Sequence, residues 1–424
     1  MPLTRARYRI YGGPANYGRA LRDLLLGAHR TDLEVPALEG VLAAQLGAPH
    51  AVVTALARVA LHDLVRHFVP PGRALLLSPY TIVDVVNAVV DAGARPVFVD
   101  VDPRTGNLDP DALAGVLASG TANDASAVLV THLHGVSADI EGILQVARGA
   151  GLPVIEDAAQ AMGARIGERR VGTLGEAGVY SFGSYKNINA HFGGVVVSPD
   201  AGVAAAIRAA RDARPIFPAR HLLRKLRASL VTDLFACHPT WGALLFPFFR
   251  TAFLRDWEPV NRALRIELDT VLRPLPPYMF GRFTDLQARA ARAQLPDLDT
   301  HARWRISVAA RYHAGLDGHP DLVLPPAPVD LRNVYTYYAV QVRGAASEVR
   351  ARRHDLLRVL AAAGRDVPAQ HLHDVSALPD FARFGARCPQ ASRVAGAVLL
   401  LPTYPGYDDA QSDANLAVLR AWRA

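Results

Sequence analysis

Short apolar runs without polar alternation recur through the first half of the chain, at Ala74 to Leu77, Pro96 to Val99, Ala127 to Val130, Pro153 to Ile155, Val179 to Phe182 and Val195 to Val197. A strand with one wet face alternates apolar and polar residues. Runs that do not alternate suit strands covered on both faces, as in a largely parallel sheet flanked by helices. Between them, Asp84 to Ala92 and Ile140 to Ala150 carry apolar residues at helical spacing. The stretch from Ala51 to about Val197 therefore predicts an α/β domain. Ala201 to Asp212 predicts a further helix. From Arg214 to Pro277 the pattern changes to arginine, aromatic residues and proline, with an amphipathic helix expected over His221 to Leu234. A long helix over Thr284 to Ala293, a strand over Tyr335 to Val342, a helix over Ser347 to Ala363 and a strand over Ala397 to Leu401 predict a smaller α+β portion at the end. The boundaries fall at 213 and 279, giving an N-terminal arm with a large α/β domain (1–213), a helical insertion (214–279) and a smaller C-terminal domain (280–424).

At 424 residues, 50% hydrophobic and 20% charged, the chain is long enough for more than one core and reads as a soluble globular protein. Its net charge of +7 comes from scattered arginines with no long basic tail, which favours anionic small molecules at least as much as nucleic acid, and no nucleic-acid partner is expected. Cys237 and Cys388 form no CxxC, so neither a disulfide framework nor a metal site is signalled, and a reducing cytoplasm is the simplest compartment. Met1-Pro2-Leu3-Thr4-Arg5 has no apolar core with a small-residue cleavage site, so no secretory signal is expected. The apolar run Trp241 to Phe249 is too short to span a bilayer. With Arg220, Arg224, Lys225 and Arg227 before it, contact with an anionic membrane is one reading. Helices that pack on a dimer and shape the substrate entrance, with the arginines meeting a substrate diphosphate, are the preferred one.

Lysine changes the picture. Of 46 basic side chains only Lys186 and Lys225 are lysines, and Lys186 lies in Ser181-Phe182-Gly183-Ser184-Tyr185-Lys186-Asn187, directly after an apolar run. A guanidinium stays protonated, whereas an ε-amine can lose its proton and attack an aldehyde, so arginine cannot replace lysine in a Schiff base. Lys186 is the candidate nucleophile; the alternative is a surface lysine left over by composition. Pro153-Val154-Ile155-Glu156-Asp157 is a strand ending in carboxylates, where open α/β sheets place ligand-binding groups. Asp157 and Gln160 can face one ligand if a helical turn follows, although Asp157 also suits a helix cap. Gly193-Gly194 lets the backbone turn tightly beside a bound group.

These segments resemble the fold-type I, DegT-type aminotransferases that act on nucleotide-linked keto sugars. The resemblance rests on Val154 to Ala164 (VIEDAAQAMGA), Gly172-Thr173-Leu174-Gly175, Ser181-Phe182 and Lys186-Asn187. It extends upstream to Tyr80-Thr81, Gly93 to Asp100 and His132-Leu133-His134-Gly135, and downstream to Arg282 to Ala288. It implies pyridoxal 5'-phosphate bound as a Schiff base on Lys186, which later shuttles a proton between substrate and cofactor. It implies that Asp157 keeps the ring nitrogen protonated, that Gln160 lies against the ring, and that Ser181 hydrogen-bonds the phosphate. It also implies a homodimer, an amino acid donor such as glutamate or glutamine, and a keto-sugar acceptor.

Three positions depart from the family pattern. Leu56-Ala57-Arg58-Val59 stands where the family has its Ser-Gly-Thr phosphate turn, leaving the backbone amides of Ala57 and Arg58 and the Arg58 guanidinium as phosphate donors. Ile82 replaces the aromatic residue that stacks on the ring, and Phe280 stands near the usual phosphate-binding asparagine of the partner subunit. Two alternatives stay open: a dehydratase-like enzyme on the same cofactor, whose relatives replace the lysine with histidine, and a non-catalytic homologue acting as a binding protein.

Overall fold

Leu75, Leu76 and Leu77 point to alternating faces of one strand, yet none is more than 1% exposed. Both sides of their sheet are covered. The structure, a computed structural model, describes residues 3–8, 14–30, 33–264, 270–369, 371–385 and 387–424; Met1, Pro2 and residues 265–269 of the arginine- and aromatic-rich segment lie outside the described residues. Seven strands, β1 (His50–Thr54), β2 (Ala74–Leu77), β3 (Arg95–Phe98), β4 (Ala125–Thr131), β5 (Val154–Asp157), β6 (Ala177–Ser181) and β7 (Gly194–Ser198), lie in the order β1, β7, β6, β5, β4, β2, β3. Five of them, from β6 to β3, are parallel. β7 is antiparallel to both its neighbours, which returns β1 to the direction of β6.

After α1 (Pro14–Leu25), helices α2 (Glu34–Leu46), α5 (Pro110–Ala118) and α6 (Ile140–Gly149) cover the face that carries Val53, Leu76, Val128 and Val154. The opposite face, with Val52, Leu75, Leu77 and Ile155, packs against α3 (Ala57–Phe68), α4 (Val83–Asp91) and α7 (Ala201–Asp212). Each fully buried aliphatic side chain contributes about 1.5–3 kcal/mol, so this two-sided burial accounts for the absence of alternation in the strand runs. The helix expected over Ala201 to Asp212 forms with those bounds, started by Asp200, whose carboxylate accepts from Gly202 N at 2.6 Å. β1 was not among the expected strands.

Downstream, α8 (Ala219–Ala236) exceeds the expected helix at both ends, and the run from Trp241 to Phe249 divides between a π-helical turn, Trp241–Leu245, and α9 (Phe246–Leu254), before α10 (Glu258–Leu264). Among the described residues no helix is long and apolar enough to cross a membrane. The helix expected over Thr284 to Ala293 is short, α11 (Asp285–Arg292), and its Leu286, Ala288 and Ala291 face inward. The long helix of this region is α12 (Leu298–Leu316). Its buried stripe, Leu298, Ala302, Arg305, Val308 and Tyr312, is interrupted by an arginine that donates to Thr336 O at 3.2 Å, which hid the apolar periodicity. α12 begins in the core of the large sheet and ends in a third core. There it meets the antiparallel strands β8 (Leu322–Val323), β9 (Tyr337–Val342) and β10 (Val398–Pro402), with α13 (Val349–Ala362) and α15 (Asp409–Ala421). Between them α14 (Pro389–Ala397) turns Ala391 and Val394 toward the large sheet. Arg250 of α9 donates to Ala362 O at 2.5 Å and Arg358 of α13 to Leu254 O at 2.7 Å, so α9 is fastened to the smaller sheet's helix layer.

Candidate active site

Every parallel strand of the large sheet ends on one edge, and the candidate residues follow those ends. Ala57 and Arg58 open α3 after β1, Ile82 follows β2, Asp157 closes β5 with Gln160 in the next turn, and Ser181 closes β6 with Lys186 five residues on. This is the crevice at the carboxyl ends of the strands where open α/β sheets bind ligands.

Burial dominates the electrostatics at this edge. It pushes the Lys186 amine below the ordinary lysine range; attraction to Asp157 opposes the shift, and repulsion from Arg58 adds to it. Asp157 is 8% exposed and moves the other way: burial raises its pKa, against the Ala159 N–H and the charges of Lys186 and His132. Its Oδ1 accepts from Ala159 N at 3.0 Å, so Asp157 does cap the following turn. Among the described residues no cation is bonded directly to its carboxylate, and a buried carboxylate in that state is stabilised by a positive partner.

The neighbouring Glu156 is a carboxylate whose needs are met. It is fully buried and accepts from Gly172 N (2.8 Å), Leu174 N (2.6 Å), Gly175 N (2.7 Å) and His132 Nε2 (3.2 Å). The Gly172-Thr173-Leu174-Gly175 motif is therefore a nest for this side chain, and His132, which accepts from Ala138 N at Nδ1, donates from Nε2. Burial raises the Glu156 pKa, but the His132 bond and the backbone N–H groups outweigh it and hold it below the usual range. A depressed carboxylate stabilises the fold above its unfolded pKa and loses that contribution as pH falls through the folded value. Glu156→Gln should cost about 2–4 kcal/mol at neutral pH, with the deficit shrinking toward acid; denaturant midpoints across pH check this, and a pH-independent deficit contradicts it.

The other expected residues have varied surroundings. Gln160 Oε1 accepts from His134 N at 2.8 Å, which locks its amide across the crevice. Ser181 Oγ accepts a long contact from Gly183 N at 3.3 Å. Leu56 lends no side-chain cap to α3, so the amides of Ala57 and Arg58 are presented at a positive helix end. The Arg58 guanidinium pairs with Asp84 of α4. Ile82 packs at the edge of the core, and Phe280 is held between the His62 ring (5.0 Å) and the Arg214 guanidinium (5.2 Å). Gly194 has a structural reason: a Cβ there would stand 2.6 Å from Ala57 Cα, so the glycine lets α3 begin against β7.

Four groups at this edge had been assigned no role. His134, at positive φ (57°), is buried with Nδ1 unpartnered, and its Nε2 lies 3.4 Å from the Tyr80 hydroxyl. Burial, then His371 and Lys186, push its pKa down to about 3; burial and Lys186 push His371 down to about 4. Both are neutral at physiological pH. Arg353 is lowered by burial, with Tyr80 opposing and Arg350 adding; its hydrogen bonds go to Ala395 O (2.8 Å) and Val398 O (3.4 Å), and among the described residues no carboxylate pairs with it. A cavity of about 1700 Å³ runs from His371 and Arg353 to α9, where Phe246, Phe249 and Phe253 form a wall. The signals were faint: His134 sat inside a recognised run, whereas His371 and Arg353 reach the crevice from the smaller sheet's side.

The model of the DegT/DnrJ/EryC1/StrS aminotransferase family matches residues 24–213 and 278–419, leaving the segment that holds α8, α9 and α10 between its two parts. The chain is 29% identical over 386 residues to a UDP-N-acetyl-3-dehydro-alpha-D-glucosamine 3-aminotransferase of Acidithiobacillus ferrooxidans, covering 91% of this chain and 87% of the relative. It is 28% identical over 386 residues to a GDP-perosamine synthase of Caulobacter vibrioides, covering 90% and 88%. Among solved structures it superposes on S. venezuelae DesV in complex with a ketimine intermediate, with a TM-score of 0.72 and 25% identity over 97% of this chain and 95% of that one.

Proposed function

The chain belongs to the DegT/DnrJ/EryC1/StrS aminotransferase family, and on that premise we propose that it moves an amino group from an amino acid, glutamate or glutamine, to a nucleotide-linked keto sugar with pyridoxal phosphate at Lys186. The half-buried Lys186 and the buried Asp157, at the ends of neighbouring strands, carry the reading. The residues present fit the cofactor: Asp157 is a buried carboxylate with no cation bonded to it among the described residues, Lys186 a half-buried amine of lowered pKa, and the start of α3 with the Ser181 hydroxyl a set of donors for a phosphate. Pyridoxal phosphate, when bound, supplies an aldehyde to exchange the amino group and a ring that withdraws electrons from the carbon losing its proton.

The chain's own part is to bind, orient and move protons. Lys186 supplies Nζ; burial lowers its pKa and so eases loss of its proton, and the neutral amine would attack a carbonyl carbon and then carry a proton between carbon atoms. Asp157 balances positive charge on the ring nitrogen, with Oδ1 held by Ala159 N. His134 and His371, both neutral, line the site without adding charge that would compete with the amine. The reading includes a homodimer working in the cytoplasm.

In this reading the acceptor's diphosphate lies in the arginine-lined cavity, and Arg353, half-buried and paired with no carboxylate among the described residues, is its first partner. Arg353→Met should raise the KM for the acceptor about ten- to hundredfold, the equivalent of one charge-assisted hydrogen bond, while the donor half-reaction stays within about twofold. The reading itself is tested with glutamate and keto sugars presented on UDP, on GDP or free. Stoichiometric 2-oxoglutarate and an aminated nucleotide sugar support it; equal turnover of the free sugar, or none with any acceptor, contradicts it.

A further inference from the structure

One face of α8 is left uncovered. At 3.6 residues per turn, Arg220, Leu223, Arg224, Arg227, Leu230, Val231, Leu234 and Phe235 fall within roughly 140° of the helix circumference. Leu222, Leu226 and Ser229 occupy the buried side. The outward face is graded: arginines fill its first turns, and Val231, Leu234 (60% exposed) and Phe235 (53% exposed) fill its last. The sole acid of the helix, Asp233, points the other way and accepts from Tyr17 of α1 at 2.6 Å. From Tyr17 onward α1 exposes Leu21, and at its far end Leu25 (77%) and Leu26 (74%). Between the helices lies an apolar groove of about 720 Å³, floored by Tyr17, Leu21, Leu226 and Leu230 and rimmed by Arg220, Arg224 and Arg227.

We propose that this face docks the protein on an anionic lipid bilayer, with the apolar end of α8 in the acyl boundary and the three arginines among the phosphate headgroups. The charge pattern selects this partner. Among the described residues none of the three arginines pairs with a carboxylate; Arg220 and Arg224 meet only the ring of His221 at 3.4 and 3.3 Å. A twofold contact centred on the arginine turns of α8 would set these cations against their own copies, like against like. A contiguous apolar surface bordered by unpaired arginines is instead the composition of a helix that lies in the plane of a membrane interface. α8 belongs to the segment between the two parts of the family match, so the surface is a property of this chain's own insertion. It is independent of the proposed reaction, because lipid binding needs neither cofactor nor turnover.

The test is co-sedimentation of the full chain with vesicles of phosphatidylglycerol and phosphatidylcholine in equal parts, and with phosphatidylcholine alone. Binding should require phosphatidylglycerol and weaken with salt. Arg220→Glu/Arg224→Glu/Arg227→Glu should weaken it at least about a hundredfold, since each basic residue near such a surface is worth about fivefold. Leu234→Ser/Phe235→Ser, which keeps every cation, should weaken it about tenfold or more. No sedimentation with phosphatidylglycerol vesicles, equal binding to neutral ones, or unchanged binding by the serine variant overturns the proposal. So does a serine variant that leaves lipid binding intact but halves the particle mass in analytical ultracentrifugation, since a second copy then covers the face.

Discussion

Lys186→Ala is expected to lower amino-group transfer by about four orders of magnitude or more, because one substitution removes both the nucleophilic amine and the group that moves the proton. Lys186→Arg should be as inactive: a guanidinium keeps its proton and cannot form the covalent link. The loss should appear in the donor half-reaction alone, measured as 2-oxoglutarate released from glutamate without any acceptor. The alanine variant should stay folded, since removing an amine that desolvation holds below its ordinary pKa relieves a cost of the folded state. Recovery of more than about one per cent of the rate in either variant would move the chemistry to another residue.

Asp157→Asn is expected to reduce the same half-reaction by about two to three orders of magnitude while the cofactor still binds, because the amide is isosteric but cannot balance a positive ring nitrogen. Two signs follow from the electrostatics. Asp157 raises the Lys186 pKa, so its removal should let that pKa fall further, and the pH profile of the residual rate should move toward acid. The Asp157 pKa is itself raised by burial. A carboxyl whose folded pKa exceeds its unfolded one destabilises the fold as pH rises through that window. The cofactor-free asparagine variant should thus be at least as stable as the wild type at neutral pH, the pattern of a residue kept for function. A Tm that drops together with the rate would make Asp157 a structural cap only.

Much of this edge was legible because its chemistry is local in sequence. Lys186 stood out in an arginine-rich chain, and the apolar run closing on Glu156 and Asp157 marked a strand end before its neighbours were known. The division of labour between the two carboxylates was not legible. Glu156 turns into the Gly172 to Gly175 nest and Asp157 faces the crevice, a difference set by which side of β5 each occupies. His371 and Arg353 were invisible for another reason: they arrive from the other side of the cavity, held by elements that pair only in three dimensions, such as His373 with Thr81. The Arg58 pairing with Asp84 likewise depends on α3 lying beside α4. The buried Arg305 hid α12, and α9 docked on α13 through arginine bonds to backbone carbonyls, which leave no hydropathy signature.

The central claim is that Lys186 holds the cofactor, and a chain with two lysines makes the measurement unambiguous. The purified protein, loaded with pyridoxal phosphate, is reduced with borohydride, digested and mapped by mass spectrometry. The account predicts the reduced cofactor on the peptide containing Lys186 and none on the peptide containing Lys225; a label on Lys225, or no label at all, contradicts it.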